Sequence, residues 1–126
     1  MISTFNKRSK RKRQKLSSKL VGQIRIAIQS LQNADDEGLR KRYRELGSKY
    51  PEDTPNHELI VEHHALVSEV IQRTMNLQPF DSQLLAGIYL KDRNIVEMKT
   101  GEGKTLAAVF AASFHAQRHQ GFHVLT

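Results

Sequence analysis

The amino-acid sequence predicts an α/β protein: a helical N-terminal segment, then a single strand-helix-strand unit built on a glycine-rich loop, with an incomplete sheet. Three observations carry this. Apolar residues recur at spacings of three and four through residues 16–75, the period of helices with one buried stripe. That period then gives way to two short apolar runs, Ile95-Val96-Glu97-Met98 and Phe122-His123-Val124-Leu125. Between the runs stand Gly101-Glu102-Gly103-Lys104-Thr105 and an alanine-rich segment. A strand, a glycine loop, a helix and a second strand form a βαβ unit, whose strands should be parallel and covered on both faces.

In chain order, residues 1–15 form a basic flexible tail, 16–75 an N-terminal helical region, and 76–126 the start of a nucleotide-binding domain. Lys7 to Lys15, KRSKRKRQK, is a like-charge run that repels itself. Leu16, Leu20, Val21, Ile24, Ile28 and Leu31 make the first helical stripe, interrupted at residues 33–36. A second helix through DEGLRKRYRELG has acids in its first turn and Gly47 as its expected stop. Thr54-Pro55 offers a cap and a first-turn proline for a third helix, whose stripe of Leu59, Ile60, His63, Leu66, Val67, Val70 and Ile71 ends near Met75. Asp81 caps a short fourth helix carrying Gln83, Leu84, Leu85 and Ile88. The last helix runs from Lys104 to about His119.

Charge locates rather than characterises. The chain has 126 residues and a net charge of +7. Eight of its 20 Lys and Arg fall within the first 19 residues, which contain no acid, so the remainder is close to neutral. The 38% hydrophobic and 26% charged content suits a soluble protein, and no run approaches the length of a membrane span. No secretory leader is evident. With no cysteine, disulfides and thiolate metal sites are excluded.

The glycine loop carries the chemistry. Glycines let backbone approach phosphate oxygens and take positive φ, so that successive N–H groups face one anion, and the helix that begins there adds its positive end. Lys104 would reach the β and γ phosphates of ATP, and the Thr105 hydroxyl would ligate Mg²⁺. Met98 stands where the common loop pattern has glycine, the variant of helicase-like ATPases. One short helix upstream, Phe80 can stack on a base, and Gln83 can both donate to and accept from an adenine edge. Thr100, Gly101, Glu102 and Gly103 complete the candidate nucleotide set, with Glu102 assigned to loop shape. The bland alternative is a glycine turn beside a chance lysine.

Other patterns weigh less. His57-Glu58 begins like a zinc-protease helix, but Val61 stands where the second histidine belongs. His115 and His119 have the spacing of a two-histidine clip without a third ligand, and His63 on the apolar stripe reads as a packed core histidine. The basic tail leaves open a nucleic-acid-binding module, although no recognition helix or aromatic cluster supports sequence-specific nucleic-acid binding.

Residues 78–126 resemble the start of the first nucleotide-binding domain of the SecA family, the motor ATPases of bacterial protein export. The shared pattern is Phe-Asp-x-Gln-Leu at Phe80, then Glu-Met-Lys-Thr-Gly-Glu-Gly-Lys-Thr-Leu from Glu97, a helix, Gly121 and a strand ending in Val-x-Thr. DEAD-box helicases share the architecture, but Glu102 and Asp81 favour the export motor, leaving a superfamily 2 nucleic-acid-dependent ATPase as the alternative. The resemblance implies a RecA-like fold, ATP and Mg²⁺ as cofactors, and a translocase ATPase activity in the full-length motor. It also implies the SecYEG channel and preproteins as partners, a homodimer in the full-length form, and anionic lipid against the basic first helix. The expected location is cytoplasmic, peripheral to the inner face of the bacterial cell membrane. Ala86-Gly87, where a glycine pair is usual, hints at an accessory copy. The family's acidic Walker B element, preprotein-binding domain and second motor domain have no counterpart here, so a fragment without turnover of its own is expected.

Overall fold

The computed structural model describes residues 7–50 and 57–125, with side chains from Arg11 onward. Its elements are five helices: α1 (Lys7–Leu31), α2 (Asp36–Lys49), α3 (His57–Met75), α4 (Asp81–Lys91) and α5 (Lys104–Gln117). The Thr54-Pro55 cap expected for α3 lies outside the described residues.

α3 is the central element, with Leu59, Ile60, His63, His64, Ala65, Leu66, Val67, Ser68, Glu69 and Ile71 all buried. Ile60, Val67 and Ile71 meet Leu20, Val21 and Ile24 of α1, Leu84 and Ile88 of α4, and Phe110 of α5 in one core cluster. A second cluster joins Leu31, Leu39, Leu46 and Tyr50 to Leu59, Ala65 and Leu66. Ile24, Leu84 and Phe110 lose all their exposure, and each such side chain contributes about 1.5–3 kcal/mol of hydrophobic stabilisation.

Local signals act as their chemistry dictates at α2. The Asp35 carboxylate accepts from the Gly38 N–H at 2.7 Å, Asp36 and Glu37 sit in the first turn, and Lys49 in the last. Gly47 does not end the helix. It lies inside α2, where an added Cβ would come within 3.1 Å of the Gln117 carbonyl oxygen, so it serves the close approach of the end of α5. α1 begins at Lys7 rather than near Leu16, because lysine, arginine and glutamine are good helix formers that can extend an anchored helix. Leu16 is exposed; Ser17 faces inward instead and donates to the Tyr89 hydroxyl at 3.0 Å.

The expected βαβ unit is not formed. Among the described residues there is no strand. Ile95 is fully exposed, as Leu125 nearly is, and Val124 is two-thirds exposed. A parallel ladder requires neighbours along its edges and cover on its faces. Two four-residue apolar runs supply neither, so the α/β expectation, and with it the incomplete RecA-like sheet, gives way to a helical bundle.

Candidate functional site

The candidate residues sit at the N-termini of α4 and α5, which pack against each other. Gly87 makes that packing close: a Cβ there would fall 2.6 Å from the Phe110 Cβ. The loop between the two helices leaves α4 through a turn held by the Asn94 side chain, whose Nδ2 donates to the Tyr89 carbonyl at 3.0 Å. It ends in two glycines of left-handed conformation, Gly101 at φ 88° and Gly103 at φ 74°. L-residues with a Cβ rarely adopt these angles.

Glu102 folds back on the loop. Its carboxylate accepts from the Lys99 N–H at 2.7 Å, while its own N–H donates to the Lys99 carbonyl at 3.1 Å. α5 then starts without a side-chain cap and with no acid in its first turn, which leaves the positive end of the helix dipole unopposed within that turn. Thr100, Gly101, Lys104 and Thr105 are exposed around that end.

Gln83 ties this loop to α4. It is 3% exposed. Its Oε1 accepts from the Phe80 N–H at 2.8 Å, and its Nε2 donates to the Glu102 and Gly103 carbonyls at 3.2 and 3.3 Å. The Phe80 ring projects outward, 68% exposed. The structure thus brings Phe80, Gln83, Glu102 and Gly103 into one bonded unit, with Lys104 and Thr105 on the turn that follows.

Two features had no clear sequence signal. Arg25 of α1 donates through Nη2 to the Pro79 carbonyl at 2.6 Å and to the Asp81 carboxylate at 2.7 Å, with Nε on the same carboxylate oxygen at 2.9 Å. The other is His64, which joins His63 beneath α5. The Ile60 carbonyl accepts from His64 Nδ1 at 3.0 Å, the His64 ring stacks on Phe110, and His63 Nε2 lies 3.0 Å from the Ser113 hydroxyl. Burial pushes both imidazoles down: His63 well below the usual histidine range, opposed further by His64, and His64 to about 4, with nearby Lys91 adding to the effect. At His115, one of the two histidines spaced four apart, Nδ1 is bonded to Gln120 Oε1 and the ring stacks on Phe122. No cluster of three potential metal ligands occurs among the described residues.

Two left-handed glycines open a helix without a side-chain cap and are braced from behind by a buried amide, features that anion-binding loops also use. The family model described as "SecA DEAD-like domain" matches residues 1–126, and the chain belongs to that family. It is 38% identical over 108 residues to the "Protein translocase subunit SecA" of Olisthodiscus luteus, covering 85% of this chain and 12% of that protein. The subunit of the same name from Pelagibacter ubique is 36% identical over 125 residues, or 99% of this chain and 15% of the relative. That from Cellvibrio japonicus is 37% identical over 112 residues, 89% and 12%. The chain therefore spans about an eighth of the length of the curated relatives it matches.

Proposed function

We propose that this chain forms the nucleotide-holding N-terminal part of a SecA-type ATPase, which couples ATP binding and hydrolysis to preprotein movement through a SecYEG channel. The observation that carries the reading is the bonded unit of Gln83 and the Glu102-Gly103 backbone, in a chain of the SecA family. It joins the segment from Phe80 to Gln83 to the glycine loop before α5. In this proposal the exposed Phe80 ring stacks on the base and Gln83 reads its edge. The loop from Thr100 to Gly103 and the α5 N-terminus cradle the phosphates of ATP. Lys104 neutralises the β and γ groups, and Thr105 supplies a hydroxyl to Mg²⁺, whose chemistry is to bridge and polarise those phosphates.

The proposal extends to surroundings. No described helix is long and apolar enough to cross a membrane. The basic face of α1 would instead hold the protein against anionic lipid by a salt-sensitive attraction. Membership of the SecA family favours this reading over a nucleic-acid-dependent ATPase.

Titration of the chain with a fluorescent ATP analogue tests it. Saturable, Mg²⁺-dependent binding is expected, with at least about a tenfold loss in Lys104→Ala, the size of a lost charge-assisted contact. Unchanged binding in Lys104→Ala would refute the phosphate assignment. Little steady-state hydrolysis is expected from the chain alone, because no acidic group is assigned to organise the attacking water.

A further inference from the structure

The Pro79 carbonyl and the Phe80 N–H belong to one peptide unit, and that unit is gripped from both sides. Arg25 Nη2 donates to its oxygen at 2.6 Å, and its N–H donates to Gln83 Oε1 at 2.8 Å. The other end of the same amide, Nε2, donates to the Glu102 and Gly103 carbonyls. A continuous series of hydrogen bonds therefore runs from the guanidinium of α1 through one peptide and one side chain to the glycine loop. Each bond polarises the next: a cation on the carbonyl oxygen makes the peptide N–H a stronger donor to Gln83.

We propose that Arg25 is a positioning residue for the nucleotide site, holding the Pro79–Phe80 peptide so that Gln83 keeps the glycine loop in its anion-binding shape. This rests on the nucleotide reading above. Arg25 is suited to the task because a planar guanidinium can serve two acceptors at fixed angles. It takes the Asp81 carboxylate as its second, and that ion pair is largely exposed, with side chains 37% and 68% accessible. The ion pair aims the guanidinium, and the peptide contact transmits its effect. Because α1 also carries the basic run, the residue links the N-terminal helix to the site without touching nucleotide.

The test is a double-mutant cycle on ATP affinity, with the Phe80 amide followed by NMR. Arg25→Ala should weaken ATP about fivefold, of the order of a charge-assisted hydrogen bond acting at one remove, and should accelerate exchange of the Phe80 amide. In a Gln83→Ala background the same substitution should have little effect on affinity, because the route is already cut. Asp81→Ala, which leaves the Pro79 contact, should lose less than Arg25→Ala. Should Arg25→Ala fail to fold by circular dichroism, Arg25→Lys is read in its place, with a smaller loss in the same pattern. An unchanged affinity, an equal loss in the Gln83→Ala background, or an equal loss in Asp81→Ala would each overturn the proposal. If the Phe80 amide responds while Lys104→Ala binds ATP like the unmutated chain, the nucleotide reading has failed, and the role of Arg25 in that site fails with it.

Discussion

Gln83 spends its amide inside the protein, on Phe80 at one end and on the loop carbonyls at the other. An amide oxygen has two lone pairs, so an adenine edge is met through the one left over or after the side chain rotates. Removing the amide should release the loop as well as the base. Gln83→Ala is expected to cost about 1–2 kcal/mol of stability, since it removes three part-buried hydrogen bonds, and to speed hydrogen exchange in residues 101–103. Thermal denaturation and exchange mass spectrometry check the two effects. The residue was legible in the sequence from its spacing to Phe80 and to the glycine loop. Its inward direction was not, because donors and acceptors on a distant loop leave no mark on the residue types around position 83. Arg25 was hidden for the same reason: it lies between Ile24 and Ile26 like any solvent-facing charge, and its partners are 54 and 56 positions away.

At the scale of elements, α3, α4 and α5 meet around two neutral histidines and one glycine. Gly87→Ala forces a Cβ against Phe110, and overpacking of this kind costs about 1–3 kcal/mol, to be read from the denaturation midpoint. The histidines predict an acid-side instability. Unfolded imidazoles titrate near 6.5, whereas burial lowers His64 to about 4 and His63 in the same direction. Above pH 6.5 neither state takes up a proton and the folded state has its full stability. As pH falls from 6.5 toward 4 the unfolded chain binds protons that the fold refuses, so stability falls by up to about 1.4 kcal/mol per pH unit for each histidine. Urea denaturation at pH 7.5, 6 and 5 should show this decline, shallower in His64→Phe. Helical periodicity made most of the α3 stripe and His63 readable in advance, although Val70, counted in that stripe, is 46% exposed. His64 was not, because one stripe accounts for one buried face, and α3 is covered by α1, α2 and α5 together.

Over the described molecule, α1, α2 and α3 announced themselves by period, α4 has Phe80 rather than the expected Asp81 as its cap residue, α5 opens without a side-chain cap, and both strands were misjudged. Ile95 and Val124 have the side chains of strand residues, but a strand is defined by the chains beside it, and local sequence says nothing of their presence. Backbone amides at 95–98 and 121–125 should accordingly exchange fast, while those of Ile24, Leu66 and Leu84 exchange slowly; protection across the two apolar runs would restore a sheet. The early start of α1 has a further consequence. Seven basic residues between Lys7 and Lys15, wound at about 1.5 Å per residue, compress into about 12 Å of axis. That spacing is close to the one charge per roughly 1.7 Å of duplex DNA, which condenses a sheath of counterions. Helix formation thus brings this short segment toward the linear charge density of a nucleic acid, so any contact it makes with an anionic surface is expected to weaken as salt rises.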